Sequence, residues 1–312
     1  MGRKGLLVFV IVLLIIFSVS CAQPGKKPQA PEPEKEEPVI TLYVAETGQV
    51  KEIALEEYLY GVVAAEMEVD WPVEALAAQA ILARTFTLEK ISQGGVPARG
   101  TDASTNIEEF QAYNEDKIND SVRKAVDSTR GQVVKYKGKL IKAWFFADGG
   151  GKTAASAEEG LGYTKEPTPY IQSVEDPGFK ITDPENKSWQ ATFSIGEVQK
   201  AIQQINGSPP GSITGVEIVE KGPSGRATKI KFGDAVVSAP ALRLALGNDK
   251  MRSTLLTGIS LQGGNIVMQG KGYGHGVGMS QWGARALAEQ GKSPQEIIKY
   301  FFKDVEIVRE YR

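Results

Sequence analysis

Apolar residues recur along this chain at two different spacings, which predict helices and strands that do not alternate strictly. Helical spacing predicts helices over residues 55–67, 72–91, 196–205, 239–246 and 280–290, with a last helix opening at the capping sequence Ser293-Pro294-Gln295-Glu296. Two-residue alternation predicts strands over 39–44, 213–220 and 227–232, and hairpins over 132–147 and at Gly263-Gly264. Because strands and helices do not follow one another regularly, we predict an α+β fold rather than a parallel α/β sheet.

This α+β fold is predicted to be a single mixed domain, with a helical part near its N-terminus and an antiparallel sheet. Glycine-rich loops at 148–151 and 158–162 separate the N-terminal part from later helices and strands. These later elements predict a smaller α+β lobe, inserted at about residues 185–260.

The first 21 residues have the order of a secretory signal. Arg3 and Lys4 precede an apolar run over residues 6–17, and Ser18-Val19-Ser20-Cys21 follows. The run is shorter than the ~20 residues of a comfortable membrane span. Cys21, the only cysteine, stands where bacterial lipoprotein signals place the acylated cysteine, although Ser18 occupies a position that usually carries Leu. We therefore predict lipid attachment at Cys21, with an uncleaved anchor as the alternative; both put the protein outside the cytoplasm, anchored to a membrane.

Residues 22–38 are rich in Pro, Glu and Lys, and predict a linker that is too polar to pack. In extended polyproline form, at ~3.1 Å per residue, it would hold the body up to roughly 50 Å from the membrane. Residues 39–312 then form the folded domain.

Composition excludes several classes of protein. The formal net charge is −2, and no local run supplies the basic surface that nucleic-acid binding requires, so we expect no nucleic-acid partner. The chain has one His and one Cys, which leaves no His/Cys zinc cluster and no Cys nucleophile in the folded part. No G-x-S-x-G motif occurs either. The sequence predicts neither a metal nor a cofactor, and leaves acid-base chemistry by a carboxylic acid.

The stretch Gly270-Lys271-Gly272-Tyr273-Gly274-His275-Gly276-Val277-Gly278 places a glycine at every second position around the only histidine. Such glycines allow close approach of the backbone but weaken an ordinary strand. The spacing fits neither G-x-G-x-x-G nor a phosphate-binding loop. Taken alone, the stretch is compatible with a tight turn or with part of a site.

Glu66 is the best candidate for the acid. Residues 55, 59, 62 and 66 share one stripe of the predicted helix, so Glu66 continues an apolar face, whereas Glu56 and Glu57 are read as solvated charges. Desolvation would raise the pKa of Glu66, as a general acid needs. The pattern alone does not decide between this role and a carboxylate that ends its helix beside an Arg or a backbone amide.

The next predicted helix is apolar almost all round but carries Gln79 and Arg84. A buried Arg must be paired. Arg84 could orient a carboxylate such as Glu66, meet a polar group of a substrate, or form an internal salt bridge between helices, and the sequence leaves these readings open.

These segments resemble the SpoIID/LytB domain family, typified by stage II sporulation protein D, over essentially residues 39–312. The N-terminal motif looks like residues 57–67, 71–76, 78–80 and 83–86, and the C-terminal motif looks like residues 272–284. Between them, residues 110–113, 129–133, 153–156 and 224–226 also fit.

The resemblance implies a peptidoglycan lytic transglycosylase that cleaves between N-acetylmuramic acid and N-acetylglucosamine and leaves 1,6-anhydro ends. The family's acid falls on Glu66, and we expect sugar amides and hydroxyls to be bound by Arg84, Gln111, Tyr113, His275 and Gln281. Other members resemble non-catalytic enhancers that bind wall glycan or stimulate a cell-wall amidase, and this remains the alternative. Peptidoglycan strands, and an amidase, are thus the expected partners, with the body facing the cell wall.

Two departures from the family pattern matter. Some relatives carry a Cys/His metal site where this chain reads Thr101-Asp102-Ala103-Ser104-Thr105, so zinc is not expected. Asp148 replaces part of a Ser-rich stretch and offers a second carboxylate, although we read it as a solvated loop acid.

Overall fold

The structure is a computed structural model that describes residues 35–312. The predicted signal segment, Cys21 and most of the predicted linker lie outside the described residues. Within residues 35–312, no helix combines the length and the apolar composition that crossing a membrane requires.

Helices and strands are mixed along the chain, which confirms the predicted α+β class. The helices are Leu55–Glu66 (α1), Val73–Ser92 (α2), Asp120–Ser128 (α3), Ala157–Leu161 (α4), Pro184–Lys187 (α5), Ile195–Asn206 (α6), Ala239–Leu246 (α7), Gln281–Glu289 (α8) and Pro294–Phe301 (α9), with a 3-10 turn at Pro177–Lys180. The strands are Val39–Val44 (β1), Gln49–Ala54 (β2), Ala103–Ser104 (β3), Gln132–Tyr136 (β4), Lys139–Leu140 (β5), Phe145–Phe146 (β6), Trp189–Ser194 (β7), Val216–Lys221 (β8), Ala227–Phe232 (β9), Ala235–Ser238 (β10), Leu256–Gln262 (β11), Asn265–Gly270 (β12), Met279–Ser280 (β13) and Glu306–Arg309 (β14).

The strands form several small sheets rather than one large sheet. Their orders are β2-β1-β3, β14-β4-β5, β13-β6, β10-β9-β8 and β11-β12-β7. Most pairs are antiparallel, but β1 with β3 and β6 with β13 are parallel. The predicted hairpin over 132–147 is therefore too long. It closes at Lys137-Gly138, where both φ angles are positive, whereas β6 leaves to pair with the distant β13.

The main hydrophobic core lies around α1 and α2. Leu55, Leu59 and Val62, which form the predicted apolar stripe of α1, are fully buried. Helix α2 is buried along most of its length because α1, α3, α8, α9 and β4 surround it. This core fixes α1 and α8 relative to each other, and both contribute to the candidate site.

A second hydrophobic cluster supports an inserted lobe. Its buried residues run from Trp189 to Met268 and join the β7-β12-β11 sheet, the β8-β9-β10 sheet, α6 and α7. The lobe thus extends about ten residues past the predicted end. Trp189, at its entry, pairs with Gly270, at its exit, so the chain enters and leaves the lobe at one place.

The predicted linker is wrong at its C-terminal end. The backbone N–H of Glu56 donates to Glu37 Oε1 at 2.7 Å, and Arg130 forms an ion pair with Glu37. The carbonyl of Pro38 accepts from Leu55 N at 2.9 Å. Residues 35–38 therefore belong to the folded body, because they supply hydrogen-bond acceptors for the first turn of α1.

Candidate active site around Glu66

Glu66 is the last residue of α1, and its neighbours come from two other parts of the chain. Its Oε1 accepts a hydrogen bond from the backbone N–H of Ala112 at 3.0 Å. Its backbone carbonyl accepts one from Gln281 Nε2, at the start of α8, at 2.9 Å. The side chain retains part of its solvent exposure. Segments far apart in sequence thus hold the carboxyl group of this partly exposed residue in place.

The environment of Glu66 favours the protonated acid. Burial raises its pKa to about 7, against the opposing hydrogen bonds of Ala112 and Gln281. Among residues 35–312, no Lys or Arg forms an ion pair with this carboxyl group. A carboxyl group whose charged form is disfavoured by desolvation, with no cation to restore it, is the arrangement that general acids use near neutral pH.

Because its pKa is raised, ionised Glu66 is expected to lower the unfolding free energy, and replacing it with the neutral residue glutamine should remove this loss. The folded state binds the proton more tightly than the unfolded chain does, so stability falls as pH rises from about 4.5 to about 7. The Glu66→Gln variant should equal the native protein at pH 4.5 and exceed its unfolding free energy at pH 8 by about 2–3 kcal/mol. Urea unfolding at both pH values measures this, and an equal difference at the two would contradict it.

Arg84 is assigned to the internal salt bridge by its contacts. Its Nε and Nη2 donate to Glu56 Oε1 and Oε2 at 2.9 and 2.6 Å, and its Nη1 donates to the carbonyl of Gln132 at 3.0 Å. Arg84 is 0% exposed and Glu56 2% exposed. The expectation that Arg84 orients Glu66 or binds a sugar is wrong, because no atom of this guanidinium reaches solvent. Reading Glu56 as a solvated charge is wrong for the same reason.

Glu56 lies at the centre of a buried junction between the two ends of the described chain. Besides Arg84, it accepts hydrogen bonds from Gly131 N at 3.0 Å and from the hydroxyl of Tyr311 at 2.5 Å. Burial alone would raise the pKa of Glu56, but the hydrogen bonds and charge of Arg84, with those of Tyr311 and Gly131, lower it overall. Glu56 is therefore a structural carboxylate, whereas Glu66 is held in its protonatable form.

The segment from Phe110 to Tyr113 passes along the site. Gln111 is only 3% exposed and donates to Thr87 Oγ1 at 2.9 Å, so it anchors the segment to α2 and has little surface for a sugar. Tyr113 is partly exposed and stacks on Tyr58, with the ring centroids 5.7 Å apart. Tyr113 also lines a cavity of about 360 Å³. Of these two predicted binders, Tyr113 has the accessible surface that binding needs.

The first turn of α8 brings aromatic and cationic groups to the same region. Trp282, next to Gln281, lies 4.8 Å from Trp71 between ring centroids. The guanidinium of Arg285, one helical turn after Gln281, lies 5.2 Å from the Trp71 ring and 5.1 Å from the Trp282 ring. Residues three or four apart share one helix face, so this group borders the Glu66 site. The sequence offered the two tryptophans as motif residues but gave no sign of this contact.

The glycine-histidine stretch serves close backbone packing. Gly272, Gly274, Gly276 and Gly278 all have positive φ. A Cβ on Gly276 would lie 2.4 Å from Arg226 Nε, and one on Gly278 would lie 2.1 Å from the carbonyl oxygen of Trp144. Because these positions have no side chains, the segment packs closely against the lobe on one side and against β6 on the other. This packing places Gln281, which follows the segment, beside Glu66.

His275 lies within this packed segment. Its Nδ1 accepts the N–H of Val277 at 3.1 Å, and its ring lies 5.6 Å from that of Phe146. Burial lowers its pKa to about 3, with a further contribution from the charges of Arg243 and Arg226, so the imidazole is neutral at physiological pH. The structure shows no contact between His275 and Glu66 among the described residues, and sugar binding by His275 stays a prediction.

The close approach at Gly276 predicts a strong sequence requirement. Gly276→Ala should lower the unfolding free energy by about 2–4 kcal/mol, because the methyl group meets a buried guanidinium and φ is +83°. Gly291→Ala is the matched control: its φ is +81°, but nothing lies within 4 Å of the added Cβ, so only the backbone cost of about 1 kcal/mol applies. Equal losses in thermal or urea unfolding would contradict the packing argument.

Asp148 belongs to a buried polar cluster, so reading it as a solvated loop acid is wrong. It is 1% exposed, and burial, with the charge of Asp176, raises its pKa to about 6. Arg226 of the lobe donates to the carbonyls of Gly149 and Lys152, both at 2.8 Å. Glu159 accepts from the N–H and hydroxyl of Ser224 at 2.9 and 2.7 Å. This cluster joins the lobe to the body, and none of its members contacts Glu66.

Within the described residues, no group of three or more His, Cys, Asp or Glu side chains is arranged to hold a metal ion. The expectation that the protein works without zinc stays a prediction.

Fold and site together define a mixed α+β protein with one partly exposed carboxylic acid of raised pKa. A family model described as stage II sporulation protein matches residues 43–136, and a domain of unknown function (DUF8618) matches residues 173–278, which contain the lobe. The chain is 33% identical over 298 residues to stage II sporulation protein D of Bacillus amyloliquefaciens, which covers 88% of this chain and 80% of that protein. The chain belongs to the stage II sporulation protein D (SpoIID) family, as the motifs predicted.

Two further proteins are similar to this chain. An uncharacterized protein of Brachyspira hyodysenteriae is 36% identical over 262 residues, covering 83% of this chain and 68% of that protein. The amidase enhancer of Bacillus subtilis is 30% identical over 288 residues, covering 78% of this chain and 39% of that much longer protein.

Proposed function

We propose that this protein is a peptidoglycan lytic transglycosylase that uses Glu66 as its only acid and base. Glu66 protonates the oxygen that links C1 of N-acetylmuramic acid to N-acetylglucosamine, and the C1–O bond breaks. The 6-hydroxyl of the same muramic acid residue then bonds to C1 and returns its proton to the Glu66 carboxylate. The products are a free N-acetylglucosamine 4-hydroxyl and a 1,6-anhydro end, and Glu66 is restored to its starting state.

The observation that carries this proposal is the setting of the Glu66 carboxyl group: its Oε1 accepts the N–H of Ala112, no described Lys or Arg pairs with it, and burial raises its pKa to about 7. A group that must first give and then take a proton works best when its pKa lies near the operating pH. The amide of Ala112, which donates to Oε1 at 3.0 Å, stabilises the carboxylate between the two transfers and keeps the pKa from rising further.

One carboxyl group is sufficient for this reaction. Glycoside hydrolases use two carboxyl groups because one must activate a water molecule or attack the sugar. Here the nucleophile is the substrate's own hydroxyl. This accounts for a site in which Asp148, the second carboxylate that the sequence offered, is engaged elsewhere, with its Oδ1 accepting from Gly150 N at 2.8 Å.

Sugar recognition is assigned to Tyr113, Gln281 and His275, the set retained from the sequence motifs. Tyr113 follows Ala112, whose N–H donates to Glu66, and Gln281 donates to the Glu66 carbonyl. A neutral histidine, a carboxamide and a phenol suit the hydroxyl and acetamido groups of a glycan, which carry both donors and acceptors. The protein would act outside the cytoplasm, held to the membrane through Cys21 and facing the cell wall.

A second candidate function is a non-catalytic role as a glycan-binding enhancer of a cell-wall amidase. It is favoured by one observation, the 30% identity to a protein named amidase enhancer. The two functions share a glycan-binding surface but differ in whether the glycan is cut.

Mass spectrometry of purified glycan strands, with and without stem peptides, separates the two functions. The full chain, purified in detergent, should generate new 1,6-anhydro ends. New reducing ends would instead indicate hydrolysis. Intact glycan, from a preparation shown to bind it, would overturn the enzymatic proposal and favour the enhancer, which stimulation of an added amidase would then test.

A further inference from the structure

We propose that a cavity of about 490 Å³ beside the C-terminal half of α2 is a second sugar-binding site, which holds a glycan strand a short distance from the bond that Glu66 cleaves. This inference rests on the proposed function, since it takes the ligand to be the same polymer. The volume falls within the range of about 300–1,000 Å³ that small-ligand sites occupy.

The walls of this cavity carry three aromatic rings, from Phe86, Trp144 and Tyr163. Trp144 and Tyr163 meet edge to face, with ring centroids 5.1 Å apart and planes at 70°. All three side chains remain partly exposed although they pack against the main core. Partly exposed aromatic rings in a concave site suit the flat C–H face of a pyranose ring, which is apolar while its rim is polar.

The polar groups of the cavity suit the rim of a sugar. Lys142 lies between Glu89 and Glu166, at 2.5 and 3.0 Å, and the hydroxyl of Tyr163 donates to Glu166 at 3.0 Å. Lys142 offsets part of the charge of these two carboxylates, and the group offers hydrogen bonds to hydroxyl and acetamido groups.

Two further cations, Lys90 and Lys165, line the cavity and form no ion pair among the described residues. They favour an anionic polymer over a neutral one, and muramic acid residues carry a free carboxylate wherever the stem peptide has been removed.

The first connection between this cavity and Glu66 runs through the segment after Phe110. The rings of Phe86 and Phe110 lie 5.4 Å apart. Ala112, whose N–H donates to Glu66, follows two residues later. Two residues of chain span at most about 7 Å, so the cavity wall and the acid are near neighbours.

A second connection runs through β13. The carbonyl of Trp144 accepts a hydrogen bond from Met279 N at 3.2 Å. Gln281, which donates to the carbonyl of Glu66, follows Met279 by two residues, or about 7 Å of extended chain. Because β6 and β13 pair in parallel, the backbone at Trp144 is fixed relative to Gln281. Two independent elements thus hold the cavity a few sugar units or less from Glu66.

A site of this kind makes affinity depend on the length of the glycan. A short oligosaccharide that fills only the region of Glu66 leaves the cavity empty, whereas a longer strand can occupy both. The second site would then hold a strand in register for cleavage at Glu66.

The test measures binding of peptide-free oligosaccharides by isothermal titration calorimetry, with the full chain carrying Glu66→Gln so that no ligand is cut. We expect an octasaccharide to bind more tightly than a disaccharide. Adding Tyr163→Leu or Trp144→Leu should weaken octasaccharide binding about 3- to 10-fold and leave disaccharide binding unchanged, because each removes one aromatic contact.

The matched control is Tyr300→Leu. Tyr300 also meets its neighbour, Phe301, edge to face with centroids 5.1 Å apart, but it does not line the cavity, so both affinities should persist. Thermal melting identifies the variants that fold. Lys165 is exposed, so Lys165→Gln carries little risk of misfolding, and this variant should also weaken octasaccharide binding. Equal affinities of all variants for the octasaccharide would overturn the second site but leave the proposed function intact.

Two other outcomes are distinct. Absence of binding to any glycan by Glu66→Gln would overturn the proposed function and this inference with it. If the variants weaken only strands that carry stem peptides, the cavity binds the peptide, and the assignment to a sugar is wrong.

Discussion

Replacing Glu66 by glutamine is expected to slow the formation of 1,6-anhydro ends by about 10³-fold or more, since both proton transfers pass through this one carboxyl group. The amide keeps the size of the side chain and can still meet Ala112 through its oxygen. It can neither protonate the leaving oxygen nor take the proton from the 6-hydroxyl. The variant should therefore bind glycan like the native protein while failing to cut it, as counted by mass spectrometry of released ends.

The matched control for this experiment is Glu68→Gln. Glu68 lies two residues away and is exposed, so the change removes a carboxylate from the same stretch of chain. The rate should stay within about twofold of the native value, as is usual for surface substitutions. A Glu66→Gln variant that cut glycan at the Glu68→Gln rate would exclude Glu66 as the acid.

The pH dependence gives a second readout of the same group. The reaction begins from protonated Glu66, whose pKa is about 7. The rate at limiting glycan concentration should therefore fall about tenfold per pH unit above neutrality. A rate that rose from pH 7 to pH 9 would show that the ionised form starts the reaction.

Removing the guanidinium of Arg84 is expected to lower the unfolding free energy by about 3–5 kcal/mol, because Glu56 would be left as an unpaired buried charge. Arg84→Met preserves much of the apolar volume, so packing losses stay small. Urea unfolding of the full chain measures the effect. Glycan affinity per folded molecule should not change, since Arg84 has no exposed atom.

A double-mutant cycle separates the pair from its surroundings. Glu56→Gln with Arg84→Met should cost less than the sum of the single changes, because no buried charge remains without a partner. The exposed pair Arg99–Glu109, 2.8 Å apart, is the comparison, and Arg99→Met should have a much smaller effect because solvent already screens that pair. A loss of glycan binding in folded Arg84→Met would restore the original expectation of a sugar contact.

The partly buried position of Glu66 on α1 could be predicted from the sequence because the information is local. Leu55, Leu59 and Val62 define the buried face of α1, and a carboxyl group in line with them must be partly desolvated. The same local reasoning misread Glu56. It lies on another face of the helix, which is covered by Gly131 and Tyr311, the latter 255 residues away in the chain. Periodicity shows which residues share a face but not what covers that face.

Asp148 and the end of the predicted hairpin were misread for a similar reason. The apolar residues Trp144, Phe145 and Phe146 satisfy a local strand pattern, but their partners are Met279 and Ser280. Asp148 follows in a glycine-rich loop that looks solvated until the lobe covers it. Both features depend on contacts with residues that are distant along the chain, Arg226 for Asp148 and β13 for β6, which no local pattern encodes.

The chain enters and leaves the lobe from Trp189 to Gly270 at one place, because the first strand of the lobe, β7, and its last strand, β12, are hydrogen-bonded neighbours. A two-residue turn could therefore replace it without stretching the rest of the chain. Removing the lobe would nevertheless remove Arg226. This cation lies near the carboxylates of Asp148 and Asp176, and its guanidinium packs against Gly276. A variant without the lobe would need another group to neutralise Asp148 and Asp176, and other side chains to fill the space beside the glycine-histidine stretch. The lobe is continuous along the chain, but through Arg226 it also contributes to the packing of the body.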